Sequence, residues 1–243
     1  MLVTLSDVSK YFGSFCALEK ISLTIQPGQI VSLLGSNGAG KTTLLCALSG
    51  IVAPTSGMVL YDNERFYRGR MDFRRRMLFL PDQPMLFARA SILRHISMCV
   101  RLYGGAIPSE DRVVDVLHHL DLLPLASNPA YQLSRGQLYK AALAALFLID
   151  PELWLLDEPF ASGMDPGGIA YFKQQVREAT ARGRTIIYTT QILEIAEKFS
   201  DSVCIIDHGQ LKLFSPLSKL RETAASASLE EIFLHLRDSG DSR

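Results

Sequence analysis

The sequence lacks an excess of charge of either sign. Its 243 residues include 25 lysines and arginines and 25 aspartates and glutamates, so the formal net charge at pH 7 is zero. A chain without net charge exerts no long-range electrostatic attraction on nucleic acid or on an anionic lipid surface. We therefore expect no nucleic-acid partner.

Long apolar runs are also missing. The longest, residues 141–149, is far shorter than the roughly 20 apolar residues that a membrane-spanning helix needs. Asp7 and Lys10 stand where a secretory signal would need its apolar core. The four cysteines have neither CxxC nor metal-ligand spacing. These absences predict a reduced, cytoplasmic chain that does not itself cross a bilayer.

The remaining composition is typical of a folded domain. Hydrophobic residues make up 48% of the chain and charged residues 21%, values close to the globular average. This balance excludes intrinsic disorder, and the length suffices for one large domain with a full core.

Short apolar runs separated by turn residues predict strands. In the first quarter of the chain such runs cover residues 2–8, 21–25, 30–34 and 57–61, with a helical pattern at 41–48. Later strand candidates lie at 153–156, 185–189 and 202–206, with helical patterns at 167–182 and 192–199. Residues 88–132 have helical periodicity throughout. The alternation favours a mainly parallel α/β sheet that a helical insert interrupts.

Residues 35–43 fit the phosphate-binding loop pattern GxxxxGK[ST]. The run follows an apolar strand and opens a helix, so backbone N–H groups and the helix N-terminus can converge on phosphate oxygens. Lys41 is expected to reach the β and γ phosphates, and Thr42 to ligate Mg²⁺. The candidate phosphate-binding residues are Gly35, Ser36, Asn37, Gly38, Ala39, Gly40, Lys41, Thr42 and Thr43.

Two carboxylates follow a second apolar strand. Residues 153–156 carry Asp157 and Glu158 to the C-terminal end of that strand, where α/β sheets place their ligands. Asp157 is expected to help hold Mg²⁺, and Glu158 to orient and polarise an attacking water. After a phosphate-binding loop, the pair predicts nucleotide hydrolysis.

Residues 133–137 read Leu-Ser-Arg-Gly-Gln and look like the signature sequence LSGGQ of the ATP-binding cassette (ABC) transporter ATPases. The chain resembles that family over essentially its whole length. Phe12 matches the aromatic residue that stacks on adenine, and residues 162–165, which end at Asp165, look like the D-loop. The resemblance implies that the chain binds ATP and Mg²⁺ and hydrolyses ATP.

The resemblance also implies a fold, an α/β P-loop NTPase core with a mainly parallel sheet, an antiparallel β subdomain and an inserted helical subdomain. The whole chain, 1–243, would be a single domain. Its nucleotide-binding core would span residues 1–87 and 133–215, with the helical subdomain at 88–132 and a C-terminal tail at 216–243.

In this family, two chains hold two ATP molecules head to tail, each between one chain's phosphate loop and the partner's signature. The resemblance assigns the signature role to Ser134, Gly136 and Gln137. It implies a second ABC ATPase chain, identical or different, as one partner. It also implies an integral membrane permease, whose coupling helix is received near residues 87–104 and which holds the chain at the cytoplasmic face of the cell membrane.

Three short runs favour export over import. Residues 102–104, 163–165 and 228–234 resemble those of the cassettes that pair with ABC-2 permeases, which move drugs, lipids or polysaccharides outward. The sequence ends soon after the last of these runs, which leaves no room for the regulatory domain that many sugar-importer cassettes carry. We expect an ABC-2 type exporter subunit.

Three positions depart from the family pattern. Gln191 stands where the switch histidine is expected, and glutamine can donate a hydrogen bond to the γ-phosphate but cannot carry a proton near neutral pH. Asp82 falls at the Q-loop position, with Gln83 one place later, and either residue could reach the Mg²⁺ water shell. Arg135 replaces the first glycine of the signature pair, which we interpret as a tolerated change.

Two alternatives stay open. Gln191 is compatible with an ATP-binding, weakly hydrolysing half of an asymmetric ABC pair, and a soluble, non-transport ABC protein is a second possibility. A basic cluster before the Q-loop is interpreted as a solvated cationic edge, for which lipid headgroups or an acidic permease loop are candidate neighbours. It consists of Arg65, Arg68, Arg70, Arg74, Arg75 and Arg76.

Overall fold

The computed structural model describes residues 1–104, 108–223 and 229–231. The strands in these residues are β1 (Val3–Phe12), β2 (Phe15–Ile25), β3 (Ile30–Leu34), β4 (Ser56–Tyr61), β5 (Glu64–Arg65), β6 (Met77–Leu80), β7 (Leu153–Leu156), β8 (Thr185–Thr190), β9 (Ser202–Asp207) and β10 (Gln210–Pro216). The helices are α1 (Lys41–Leu48), α2 (Met71–Arg74), α3 (Ile92–Tyr103), α4 (Glu110–His119), α5 (Arg135–Ile149), α6 (Pro166–Ala181), α7 (Leu193–Phe199) and α8 (Leu217–Thr223).

The described strands form two sheets. The six-stranded sheet has the order β10-β9-β3-β8-β7-β6 and is parallel except for β10, which pairs antiparallel with β9. The four-stranded sheet, β2-β1-β4-β5, is antiparallel. The predicted fold class, a mainly parallel sheet with an antiparallel β unit and a helical insert, is confirmed.

Strand β7 shows how the parallel sheet is packed on both faces. Its successive side chains point to opposite faces. Leu153 and Leu155 join the core that contains α1 and the antiparallel sheet. Trp154 and Leu156 join the core formed by the helices, and Trp154 lies against Phe147 of α5 with ring centroids 5.7 Å apart. A strand buried on both faces reads as a continuous apolar run, which is why the sequence predicts it correctly.

The predicted helical insert contains two helices with clear N-caps. The Ser91 hydroxyl accepts a hydrogen bond from the Arg94 amide at the start of α3, and the Ser109 hydroxyl accepts one from the Arg112 amide at the start of α4. Such caps satisfy N–H groups that have no partner within the helix. Residue 228 and residues 232–234 of the tail run lie outside the described residues.

Six of the described strands and α-helices were not predicted, namely β5, β6, β10, α2, α5 and α8. Helix α5 has no polar stripe in its middle, because every side chain from 139 to 147 is buried between α3, α4, α6 and the sheet. Without such a stripe, helical periodicity cannot be seen. Within the described part of the chain, no helix is both long and apolar enough to cross a membrane.

Candidate functional site

The loop of residues 35–40 turns sharply between β3 and α1. Gly40 has φ +108°, and a Cβ atom at this position would lie 2.6 Å from the Ala17 carbonyl oxygen. Only glycine fits such a backbone without displacement. Strand β3 is buried and lies between β8 and β9, so the loop is anchored in the middle of the parallel sheet.

The first turn of α1 is suited to an anion. The N-cap residue of this helix is Gly40, so no side chain caps the first N–H groups. The first turn also has no acidic residue. The first N–H groups of a helix have no partner within it, and they carry the positive end of the helix dipole. The loop and helix start therefore present amide donors where a phosphate can bind.

Lys41 bends back over the loop. Its Nζ donates to the Gly35 carbonyl at 2.8 Å and to the Ser36 carbonyl at 3.0 Å, and it lies 4.0 Å from Glu158 Oε1. The side chain is only 7% exposed. Burial lowers the pKa of Lys41, while the carboxylates of Glu158 and Asp157 act in the opposite direction. The ammonium is held close to the loop by weak carbonyl acceptors that a phosphate can outcompete.

Asp157 connects two parts of the site. One carboxylate oxygen accepts a 2.9 Å hydrogen bond from Thr42 Oγ1, and the other accepts one of 2.6 Å from Thr189 Oγ1 in β8. Asp157 is 6% exposed. A hydroxyl and a carboxylate are the oxygen donors that Mg²⁺ uses in proteins, so this pair fits the ion chemically.

Glu158 is held in a left-handed backbone conformation, with φ +46°. Its amide donates to Thr189 Oγ1 at 2.8 Å. Gln191 Nε2 donates to Asn37 Oδ1 at 2.9 Å and to Glu158 Oε1 at 3.4 Å. Burial raises the pKa of Glu158, and the nearby Asp157 and Asp82 charges act the same way, while Gln191 and Lys41 oppose the shift. Uncommon backbone geometry of this kind is frequent at functional sites.

These groups surround one cleft of about 590 Å³. The structure brings most of the predicted phosphate, metal and catalytic residues together there, with the exception of Gly35, Ser36 and Gln83. The carbonyl oxygens of Gly35 and Ser36 accept hydrogen bonds from Lys41 Nζ, but neither residue lines the cleft. Gln83 is exposed and does not line the cleft either. The lining consists of residues 37–43 together with Phe15, Ala17, Asp82, Arg135, Asp157, Glu158, Ala161 and Gln191.

Ser134, Gly136 and Gln137 of the signature and Asp165 of the D-loop do not line this cleft, and the two segments contact each other. Ser134 and Gln137 form a reciprocal cap at the start of α5, and Asp165 caps α6 by accepting from the Gly168 amide at 2.8 Å. A Cβ atom on Gly136 would lie 2.4 Å from the Gly163 carbonyl oxygen. Close packing of the two segments therefore requires glycine at position 136.

Two aromatic residues face each other across the β1–β2 hairpin. Phe12 and Phe15 are register partners at its end. Phe15, 62% exposed, lines the cleft, whereas Phe12, 49% exposed, does not and lies 5.0 Å from the Lys10 ammonium. Phe15 was not predicted, although an aromatic residue directly after the turn residues Gly13 and Ser14 was a visible signal.

The chain is similar to several ATP-binding subunits of transporters. It is 29% identical to the ABC-type transporter ATP-binding protein EcsA of Bacillus subtilis over 239 residues, which cover 97% of this chain and 96% of EcsA. It is 32% identical to the SkfA peptide export ATP-binding protein SkfE of the same organism over 211 residues, covering 86% and 87% of the two chains.

Solved structures show the same fold. The structure of an ATP binding subunit of an ABC transporter matches with a TM-score of 0.89 and 28% identity, covering 98% of this chain and 100% of that chain. The dimeric post-hydrolysis state of the ATP-binding cassette MJ0796, bound to ADP and Pi, matches with a TM-score of 0.79 and 25% identity, covering 88% and 98%.

The family model described as ABC transporter matches residues 18–161, which is more than half of the chain. The matched segment includes the phosphate loop, Asp82, the signature run and both carboxylates at the end of β7. ATP-binding domains of this kind are ATPases. The chain therefore belongs to the ABC transporter family.

Proposed function

We propose that the chain is the ATP-hydrolysing subunit of an ABC-2 type exporter that acts on a separate membrane permease. The observation that supports this proposal most directly is the cleft in which Lys41, Asp157 and Glu158 surround the amide donors at the start of α1. We also propose that the whole chain, 1–243, is one ABC ATPase domain divided as the resemblance implies.

In this proposal the loop amides and Lys41 bind the phosphates of ATP. The Lys41 ammonium exchanges its carbonyl contacts at Gly35 and Ser36 for phosphate oxygens, which are stronger acceptors because they are charged. Phe15, together with Phe12 across the hairpin, offers an aromatic surface to the adenine ring.

Thr42 and Asp157 hold Mg²⁺, and Asp82 lies in the same cleft. When bound, the ion neutralises charge on the phosphate oxygens. Between Asp82 and Gln83, we favour Asp82 for the Q-loop role, since Gln83 does not line the cleft.

Glu158 orients the attacking water and accepts its proton. Burial raises the pKa of this carboxylate, which makes it a better proton acceptor than an exposed glutamate. Gln191 donates to the Glu158 carboxylate and holds it in place. As a neutral amide, Gln191 can orient Glu158 and donate to a phosphate, but it cannot supply positive charge.

Ser134, Gly136 and Gln137 complete the nucleotide site of a second chain. They lie outside the cleft of their own chain, as residues that act on a partner must. A γ-phosphate that contacts both chains favours the closed dimer, and its hydrolysis removes that preference. The dimeric MJ0796 structure, which holds ADP and Pi, supports this arrangement.

Coupling to a permease is supported by a second groove. It has a volume of about 340 Å³ between α2, β6 and α3, and its lining includes Met71, Arg74, Leu102 and Tyr103. Leu102 is 69% exposed. Exposed apolar side chains beside a groove mark an interaction surface. SkfE is a peptide export ATP-binding protein, which supports export by this chain as well. In this proposal the chain is peripheral at the cytoplasmic face of the membrane.

The direct test of ATPase activity is Mg-ATP hydrolysis by the purified chain beside the Lys41→Ala variant. We expect turnover by the wild type and none by the variant. Equal rates in both would overturn the assignment of the cleft.

Membrane coupling is tested by the fraction of the chain that sediments with washed membranes of the cells that produce it. We expect Leu102→Asp to reduce this fraction. No reduction would contradict docking at the groove.

One observation favours a second candidate function. Gln191 stands in the cleft where the family resemblance places a histidine, which suits an ATP-binding partner that barely hydrolyses. An inert wild type whose activity Gln191→His restores would favour this candidate. Turnover by the wild type itself would exclude it.

A further inference from the structure

Two of the departures from the family pattern contact each other. Arg135 Nη2 donates to Asp82 Oδ1 at 2.7 Å. The residues are 53 positions apart in the sequence, one in the first turn of α5 and the other just after β6. Arg135 is 55% exposed and Asp82 34%, and both line the phosphate cleft.

The charge balance of the cleft depends on Arg135. Its lining carries the carboxylates of Asp82, Asp157 and Glu158 against the cations of Lys41 and Arg135. Within the described residues, Arg135 is the one cation that forms an ion pair with Asp82. Without it, three carboxylates would face a single lysine where a polyphosphate has to bind.

The charge of Asp82 acts on Glu158, the proposed catalytic carboxylate. This charge contributes to the raised pKa of the Glu158 carboxyl. An unpaired carboxylate at this position would repel the phosphates of ATP in the same cleft, because like charges repel each other.

We propose that Arg135 is part of the nucleotide site of its own chain, where its guanidinium neutralises Asp82 and so increases the affinity for the ATP phosphates. The inference rests on the proposed function. Arg135 thus has a different role from the other signature residues. The side chains of Ser134 and Gln137 form the cap of α5, whereas the side chain of Arg135 lines the cleft of its own chain.

The test measures binding of a fluorescent ATP analogue with Mg²⁺ at protein concentrations where light scattering finds only monomer. Arg135→Gln is expected to raise Kd about three- to fivefold, the range of an exposed charge pair. In the Asp82→Asn background, Arg135→Gln is expected to change Kd by less than about 1.5-fold, since the carboxylate that Arg135 neutralises is gone. The difference between Arg135→Gln and the wild type is expected to shrink as salt is added.

Arg182→Gln is the matched control, because Arg182 is also a surface arginine paired with an aspartate, Asp150, but lies away from the cleft. It is expected to leave Kd unchanged. A wild-type Kd for monomeric Arg135→Gln, with a defect only under dimer-forming conditions, would overturn the inference and assign Arg135 to the partner's nucleotide. If Arg135→Gln raises Kd as much in the Asp82→Asn background as in the wild type, the role of Asp82 is overturned.

Lys41→Ala distinguishes this inference from the proposed function. If Lys41→Ala loses binding while Arg135→Gln keeps it, only the role of Arg135 fails. If Lys41→Ala binds like the wild type, the cleft is not the nucleotide site and the proposed function fails as well.

Discussion

Thr42 Oγ1 donates a 2.9 Å hydrogen bond to Asp157 Oδ2 and thereby links the first turn of α1 to the C-terminal end of β7. The two residues are 115 positions apart. Their contact brings the phosphate loop and the acidic pair into one cleft, because β3 and β7 both end at the same edge of the parallel sheet.

The Mg²⁺ assignment predicts the effect of replacing Asp157. Asp157→Asn removes the charged oxygen ligand, so we expect nucleotide affinity in the presence of Mg²⁺ to fall by roughly tenfold or more. Affinity in EDTA is expected to change little. Titration of a fluorescent ATP analogue under both conditions provides the measurement. Equal losses in Mg²⁺ and in EDTA would show that Asp157 acts on the loop rather than on the ion.

The position of Lys41 predicts a large loss of ATP affinity in Lys41→Ala. A charge-assisted hydrogen bond contributes about 1.5–3 kcal/mol, so Kd is expected to rise roughly 10- to 100-fold. Lys198→Ala, which removes an exposed lysine that pairs with Glu194, serves as the control and is expected to bind normally. The account is wrong about the phosphate contact if both variants bind alike.

The raised pKa of Glu158 predicts an acid limit of activity. A protonated carboxyl cannot accept a proton from water, so hydrolysis is expected to fall as pH decreases through this pKa. Because burial raises it, the fall is expected above the ordinary range of a glutamate. Gln191→Ala removes a hydrogen bond that lowers the pKa of Glu158, so the limit is expected to move to higher pH. Hydrolysis rates measured from about pH 4 to about pH 9, between the titration ranges of carboxyl groups and lysines, give the acid limit of the wild type and that of Gln191→Ala.

A pH limit in Gln191→Ala that is identical to that of the wild type, or shifted to lower pH, would contradict this electrostatic account. The pH profile distinguishes a shifted pKa from a general loss of activity. A variant that is only slower has a lower maximal rate, but its activity falls at the same pH as that of the wild type.

The contact between the signature and the D-loop predicts a stability effect. Gly136→Ala places a Cβ atom 2.4 Å from the Gly163 carbonyl oxygen, so backbone has to move. We expect a loss of about 1–3 kcal/mol in the free energy of unfolding, typical of overpacking. In Gly69→Ala, the control, the new atom meets only the ring of the exposed Tyr67. Urea unfolding that gives equal stabilities for both variants would exclude the tight contact.

The sequence predicted best what depends on local pattern. The phosphate loop and the strand that carries Asp157 and Glu158 follow from short runs of residue types, because a tight turn needs glycine and a buried strand needs apolar side chains. Strand β10 could have been found from the alternation of Leu211 and Leu213 with polar residues. It was missed because Phe214 follows Leu213 directly and breaks the alternation after a short run.

What the sequence did not predict depends on contacts between distant residues. Nothing in the run 133–137 indicates that Arg135 pairs with Asp82, since the contact exists only after α5 packs beside β6. The choice between Asp82 and Gln83 likewise needs the direction of the chain after β6. Helix α5 was missed for the opposite reason, because burial on all sides removes the polar stripe that identifies a helix.

The most direct test of the central claim is Mg-ATP hydrolysis by the wild type and by Glu158→Gln, with the molar mass of each followed by light scattering in the same samples. The account predicts turnover by the wild type. It predicts that Glu158→Gln binds ATP, accumulates as a dimer and does not hydrolyse, because the amide cannot accept a proton. Hydrolysis at the full rate by Glu158→Gln would contradict the account.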